Sequence, residues 1–269
     1  MPELAELKLS AQYINEQCEG KVFTKIKTNP VHKGLDITAP YSEFSIRAES
    51  RGKEMLLFIN DEPLKFTFGM AGSFKMTKTG EERKHSHLMF YTDDGYTLSF
   101  VDVRRFGKWK WDGWNKGRGF DPTTHYEEFC KDVQENLDHK VFNNPIGEIL
   151  LNQRFFNGIG NYLRAEILYK ANQDPFEEAR VAIKNNPKII AYCNTIPLEA
   201  FMLGGGQLKQ WENPFGVEPD RFTKWMKCYG NNNMNTVRDR NGRTLWYDPK
   251  WELKTEIKQN CYESKKNRH

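Results

Sequence analysis

Two apolar helical patterns meet across a single turn at residues 153–168, QRFFNGIGNYLRAEIL, and this stretch constrains the fold more than any other. Pro145–Asn152 (PIGEILLN) predicts one short helix and Tyr162–Tyr169 (YLRAEILY) a second. Between them, Gly158 and Gly160 permit φ > 0 and bare backbone where other residues would clash. Asn161 stands at the predicted N-cap, so the first N–H groups and positive dipole end of the second helix point out of the turn. Such a turn offers donors to an anion, and phosphate is the usual anion of a helix-turn-helix. The same spacing also fits a plain helical hairpin closed by glycines, so the turn needs support from the rest of the chain.

The 269 residues allow one large or two medium domains with a real core. A net charge of +4 permits a polyanionic partner without demanding one. That charge is concentrated. Arg104–Arg118 (RRFGKWKWDGWNKGR) holds six basic residues, one acid and three tryptophans, and Arg238–Arg243 (RDRNGR) is similarly basic. Basic residues interleaved with aromatics suit a nucleic acid whose bases can stack, and equally suit a solvated sheet edge anchored by tryptophan. The five cysteines form no C-x-x-C pair, which argues against a disulfide framework or a structural zinc and fits a reducing compartment. No apolar run approaches a membrane span, and the acidic N-terminus does not read as a secretion signal.

Along the chain, residues 1–115 predict a β-rich domain behind a starting helix, Glu6–Cys18, closed by Gly20. Its strands are expected at Met55–Asn60, Leu64–Met70, His87–Thr92 and Tyr96–Val103, with a hairpin turn at Asp94-Gly95. A two-layer sandwich or flattened barrel follows. The turn-rich segment Gly113–Thr124 supplies a linker, placed at 116–124. Residues 125–269 predict a helical domain that is broken at Gly204-Gly205-Gly206 and ends in an Asn-Gly hairpin within Met234–Asp248. From Glu263 the polar, basic tail is expected to be loose. The fold class is therefore α+β.

The start of the chain carries a chemical possibility. Met1 precedes a small side chain and is expected to be removed, which exposes a secondary amine at Pro2. A free α-amine titrates near about pH 8, so a usable fraction is nucleophilic at neutrality. Attack on a sugar C1′ gives an iminium directly, an electron sink for elimination. Glu3 and Glu6 lie beside it as acid/base candidates. A helix that merely begins with proline and acids would look the same.

Four separated features now agree: the MPELAE start, Arg51-Gly52-Lys53, the glycine turn, and the Asn241-Gly242 hairpin. Together they resemble the Fpg/Nei family of DNA glycosylases over nearly the whole chain, and most closely its endonuclease VIII-like branch without zinc. In that resemblance QRFFNGIGNYLRAEIL is the helix–two-turns–helix motif. The hairpin after Cys228-Tyr229-Gly230 (about 226–250) is a zincless finger, since Cys228 stands alone where many members carry four cysteines.

The resemblance implies Pro2 as the nucleophile, Glu3 as the acid/base that opens the deoxyribose ring, with Glu6 beside them, and Lys53 as a catalytic contact to the neighbouring phosphate. Asn161 and Gly160 would bind phosphate from the glycine turn. Arg243 would do so from the hairpin tip and assist the second elimination, a task for which planar arginine is well suited. Met70, Arg104 and Phe106 would fill the void left by a flipped base, although Met70 and Phe106 also fit core positions. Arg105 and His85 would add phosphate contacts. One departure stands out: where the family has proline before its second glutamate (PELPE or PEGPE), this chain has Ala5. That predicts a less rigid placement of Pro2 and Glu3 rather than lost chemistry.

The expected function is a bifunctional DNA glycosylase/AP lyase of base-excision repair. It would remove oxidised pyrimidines, ring-opened purines and hydantoins, and cleave by β,δ-elimination. It would need no metal or organic cofactor and act as a monomer on damaged duplex or single-stranded DNA, inside the cell with the DNA and away from membranes. A non-catalytic DNA-binding protein that keeps the fold is the alternative, and an RNA-binding or ribosome-associated helix–two-turns–helix protein a more distant one. The base-recognition loop is expected at Gly204–Glu218.

Overall fold

In the computed structural model, helix α1 (Leu4–Cys18) opens the chain two residues earlier than its apolar pattern suggests. The reason is local: Glu3 is its N-cap and Glu6 its third residue, and each side chain accepts the other's backbone N–H in a reciprocal capping box. Described residues are 2–32, 34–206, 211–216 and 220–251. They fall into two units, one from Met1–Lys116 and Ala200–Phe222, the other from Gly117–Glu199 and Thr223–His269.

The first unit contains two antiparallel sheets. Strands β1 (Phe23–Thr28), β5 (Ser73–Lys78), β6 (Ser86–Thr92) and β7 (Tyr96–Val101) form one, in the order β1-β6-β7-β5. Strands β2 (Ile46–Arg51), β3 (Glu54–Ile59), β4 (Glu62–Thr67) and β8 (Lys108–Trp111) form the other, in the order β2-β3-β4-β8. This is the expected sandwich. Four of its strands escape the apolar-run criterion because charged or polar residues interrupt them, on the exposed positions in β1, β2 and β8 and at the buried Lys75 in β5. In β8, KWKW, Trp109 is buried while both lysines are exposed. That stretch of the basic, tryptophan-rich segment is thus an edge strand.

Helix α1 covers the edges that β2 and β5 would otherwise leave open. Asn15 makes paired bonds with Ala48 of β2, its amide nitrogen donating to the carbonyl at 3.0 Å and its oxygen accepting the N–H at 2.7 Å. The Tyr13 hydroxyl accepts the Met76 N–H of β5 at 3.0 Å. The helix whose first turn carries Glu3 is thereby fastened to both layers.

Between the sheets lies an aromatic core in which Phe66, Phe74 and Phe100 stand 5.2–5.3 Å apart between ring centroids. Phe100 also sets the surface above it. A Cβ on Gly72 would come within 2.5 Å of its ring and one on Gly107 within 2.6 Å, so both backbones lie directly on the aromatic face. These glycines follow the Met70 and Phe106 turns, which links core packing to loop position.

The second unit holds α2 (Tyr126–Glu135), a 3-10 turn (Lys140–Asn143), α3 (Ile146–Ile149), α4 (Asn161–Ala171), α5 (Ala179–Asn185) and most of α6 (Lys188–Met202). The short α7 (Asp220–Trp225) precedes the hairpin of β9 (Asn235–Arg238) and β10 (Thr244–Tyr247). Helix α4 is buried from Tyr162 to Leu168 and packs on β10. The tail from Glu263, Met1, and residues 207–210 and 217–219 of the expected recognition loop lie outside the described residues.

Replacing Phe100 with Ala should lower the unfolding free energy by about 3–5 kcal/mol, the usual cost of emptying an aromatic core position. Urea unfolding followed by tryptophan fluorescence measures this, and a loss below about 1 kcal/mol would contradict the core assignment.

Candidate active site

The N-terminal site is organised by Glu6. This carboxylate is only 1% exposed and accepts two backbone N–H groups, Glu3 through Oε2 and Gly206 through Oε1, each at 2.7 Å. One side chain therefore joins the first turn of α1 to the segment after α6. Gly205 has φ +68°, which favours glycine, and a Cβ there would lie 3.0 Å from Glu6 Oε1 and 2.9 Å from Leu9 Cδ1, so both side chains would have to shift. Pro2 is buried immediately before the N-cap, and Glu3 is buried with it. Ala5 is fully buried in the first turn, and the helix starts at Leu4 without the family's proline.

Lys53 is the second residue of a two-residue hairpin turn between β2 and β3, paired at Arg51 and Glu54. Gly52 takes φ +57° at the first position, the geometry this turn demands. Beneath it, the buried Glu54 carboxylate meets the Arg51 guanidinium at 3.4 Å and accepts the Asn115 N–H at 3.3 Å.

The expected void-filling residues lie on two adjoining turns. Both oxygens of the fully buried Asp102 hold one turn, accepting the N–H groups of Arg104 at 3.0 Å and Gly107 at 2.7 Å. Phe106 is left 53% exposed at its tip, with the Arg104 guanidinium 5.0 Å from its ring centroid. The other turn carries half-buried Met70. A Cβ on Gly69, at φ +60°, would lie 2.7 Å from the Phe106 carbonyl carbon, so the two backbones touch.

Arg105 is exposed at φ +57°, and half-buried His85 accepts the Asp102 N–H on its carbonyl. His32 and His87 meet at 4.9 Å between ring centroids with their planes tilted by 50°. Burial pushes both imidazoles below the usual histidine range; His87 lowers His32 further, His85 and Arg105 lower His87, and Asp102 pulls both back up.

In the second unit, the glycine turn and the hairpin share one buried arginine. Arg164 is 0% exposed, and its Nη1 reaches Asp239 Oδ2 at 3.0 Å and the Gly147 carbonyl at 2.8 Å. Its Nη2 donates to Asn161 Oδ1 at 2.6 Å. The Asn161 amide in turn donates to the Thr244 carbonyl at 2.9 Å, one residue beyond Arg243. Asp239 spans the hairpin loop by accepting the N–H groups of Asn241 at 3.0 Å and Arg243 at 2.9 Å, leaving the Arg243 side chain exposed.

Two sequence expectations are corrected here. Gly160, not Asn161, is the N-cap of α4, and Asn161 is the first helical residue. Gly158 takes φ +98°, but Gly160 is extended at φ −123°. The turn needs only one left-handed residue, because a glycine N-cap starts the helix from extended backbone.

Sequence reasoning missed Arg164 and Glu166. The Glu166 carboxylate accepts the N–H groups of Lys227, Cys228 and Tyr229 at 2.8–2.9 Å, fixing the chain ahead of the hairpin. Burial raises its pKa against the pull of those three donors. The signal was two charges inside an otherwise apolar helix, YLRAEIL. Also missed was Lys75, a buried amine on β5 that donates to the Asn213 and Pro214 carbonyls at 3.3 and 3.2 Å, with its pKa lowered by burial. Among the described residues no cluster of three or more His, Cys, Asp or Glu could hold a metal ion.

Arg164→Met should destabilise the protein by about 3–5 kcal/mol, because it leaves Asp239 as a buried unpaired charge. Arg164→Met with Asp239→Leu should recover part of that loss. A double variant as unstable as the sum of the singles in urea unfolding would contradict the coupling.

The chain was compared with known proteins. Residues 1–109 match the formamidopyrimidine-DNA glycosylase N-terminal domain, and residues 220–250 match the DNA-binding model of endonuclease VIII-like 1. Endonuclease 8-like 1 of Homo sapiens is 38% identical, over 92% of this chain and 72% of that protein. The formamidopyrimidine-DNA glycosylase of Zymomonas mobilis is 28% identical, over 86% of this chain and 89% of that protein. A solved complex of the wild-type Lactococcus lactis Fpg with DNA containing an oxidised pyrimidine has the same fold. Its TM-score is 0.79 at 22% identity, covering 94% of this chain and 100% of that one. By this likeness to endonuclease 8-like 1 over most of both chains, the protein belongs to the endonuclease VIII-like branch of the Fpg/Nei family of DNA glycosylases.

Proposed function

We propose that this DNA glycosylase/AP lyase of base-excision repair uses Pro2 as its nucleophile and Glu3 as its acid/base. The observation that carries the reading is the bridge made by Glu6, which fixes the backbone at Glu3 from a helix itself fastened to both sheets. A nucleophile one residue before that N-cap is preorganised, which is what covalent catalysis requires. The non-catalytic alternative rested on Ala5. The capping box supplies the fixed helix start that the missing proline would have given.

In this reading, removal of Met1 frees the Pro2 amine, whose lone pair attacks C1′ of the damaged nucleotide. The C1′–N bond to the base breaks, and the base leaves with a proton. Glu3 protonates the ring oxygen as the sugar opens, giving an iminium between Pro2 and C1′. The iminium draws electrons from the C2′–H bond, so loss of that proton breaks C3′–O3′, and a second elimination breaks C5′–O5′. Lys53 and Arg243 stabilise the phosphates that leave, and Asn161 and Gly160, with Arg105 and His85, grip others. Met70, Arg104 and Phe106 occupy the space of the extruded base, supported by the touching turns at Gly69 and Phe106.

The substrates are oxidised pyrimidines, ring-opened purines and hydantoins, a scope supported by the Lactococcus lactis relative bound to an oxidised pyrimidine. The protein works as a monomer on DNA inside the cell. Residues 1–115 form the catalytic domain and 125–269 the DNA-gripping domain, joined by 116–124.

Pro2→Gly should slow strand cleavage by about 100-fold or more while changing affinity for DNA with an abasic-site analogue less than about threefold, since nucleophile loss acts on the reaction and not on binding. Single-turnover cleavage and fluorescence anisotropy measure the two. Undiminished cleavage by a Pro2→Gly, Glu3→Gln double variant would sink the mechanism.

A further inference from the structure

Lys75 carries a charge that none of the assigned roles uses, inside the first unit and among acceptors. This residue of β5 is 8% exposed, and its amine donates to the Asn213 carbonyl at 3.3 Å and the Pro214 carbonyl at 3.2 Å. The Glu212 carboxylate lies 3.6 Å away, but it is half exposed and is shared with Arg83 at 2.6 Å. An ammonium group brings three donors to such a place, and burying it without acceptors would be costly. Strand β5 thereby holds the segment 211–216 by its backbone.

That segment is tied in turn to the N-terminal site. Asn213 is fully buried; its amide nitrogen donates to the Gly204 carbonyl at 2.6 Å, and its side-chain oxygen accepts the Phe215 N–H at 2.8 Å. Two residues beyond Gly204, the Gly206 N–H enters the Glu6 carboxylate, whose other oxygen accepts the Glu3 N–H. A second route closes the circuit. The Phe215 ring meets Tyr13 of α1 edge-on at 5.3 Å between centroids, and the Tyr13 hydroxyl accepts the N–H of Met76, the residue after Lys75. Lys75 thus stands where β5, α1 and the segment after α6 are fastened together.

We propose that Lys75 is a positioning residue for the N-terminal amine, acting through Asn213 and the glycines after α6 on the Glu6 carboxylate. The inference rests on the reading of Pro2 as the nucleophile. Glu6 fixes the Glu3 backbone only as firmly as its other donor, the Gly206 N–H, is itself held. Gly204 and Gly205 take φ +87° and +68°, and glycine backbone does little to hold its own conformation. The restraint must come from outside. Helix α6 supplies part of it, since the Gly204 and Gly205 N–H groups donate to the Phe201 and Ala200 carbonyls. Asn213, held by Lys75, supplies the rest. Displacing a reacting group by about 1 Å slows a reaction on the order of 100-fold. Loss of the Lys75 amine therefore slows bond formation to C1′ and leaves DNA affinity almost unchanged.

The test uses the full chain and duplex DNA. Lys75→Met keeps the bulk of the stem and removes the donors. Its single-turnover borohydride trapping on abasic DNA should slow at least about tenfold, while affinity for a tetrahydrofuran analogue stays within about threefold. Lys75→Arg, which keeps charge and donors, should trap within about threefold of wild type. Amide hydrogen exchange reads the same network without activity. In Lys75→Met the Glu3 and Gly206 amides should exchange at least about tenfold faster, and the Ala48 amide, held by Asn15 farther along α1, at the wild-type rate. Should Lys75→Met fail to fold, Glu212→Gln at an exposed position should slow trapping by about threefold with affinity unchanged. Wild-type trapping by these variants, or exchange equally accelerated at Ala48, would overturn the proposal. A wild-type adduct mapped away from Pro2 would overturn the nucleophile reading, and this inference with it.

Discussion

Buried carboxylates that accept backbone N–H groups hold the working loops of this protein. Glu6 joins the N-cap of α1 to Gly206, and Asp102 ties down the turn of Arg104 and Phe106. Glu166 gathers the chain at Lys227–Tyr229, and Asp239 spans the loop that ends at Arg243. Each such bond to a charged group contributes about 1.5–3 kcal/mol, and burying the carboxylate without its donors would cost more than that. The loops therefore have few alternatives to the positions they hold. Side chains that face outward from them, Phe106 and Arg243, are exposed without the supporting backbone being loose.

The same device holds the hairpin of β9 and β10. A buried arginine and two buried carboxylates fix it and the chain ahead of it. Arg164 alone connects Gly147, Asn161, Asp239 and Thr244, so the glycine turn and the hairpin share one anchor. Cys228 contributes its N–H to Glu166, and burial pushes its thiol up to about 12.

Local patterns in the sequence marked the helices, the glycine turn, the hairpin, and four strands with continuous apolar runs. They did not mark β1, β2 and β8, where charged or polar residues interrupt the packed positions, nor β5, where the lysine at the third position is itself buried. The glycine turn was legible as a turn, but whether Gly160 or Asn161 caps the helix depends on Arg164 and Thr244, which hold the asparagine side chain. The roles proposed for Pro2, Glu3, Lys53 and Arg243 come from the resemblance alone. The supports of that site were not legible, because Glu6 and Gly206 are 200 residues apart and no local pattern encodes such a pair. Charges inside apolar helices were the available clue, and they mark buried partners rather than surface.

The central claim is that the N-terminal amine, held at the start of α1, bonds covalently to the sugar. Borohydride reduction of the protein on abasic-site DNA, followed by peptide mapping of the adduct, tests it directly. The account predicts one adduct, on Pro2 of protein that has lost Met1. An adduct on an internal lysine, or none despite tight binding by correctly processed protein, would contradict it.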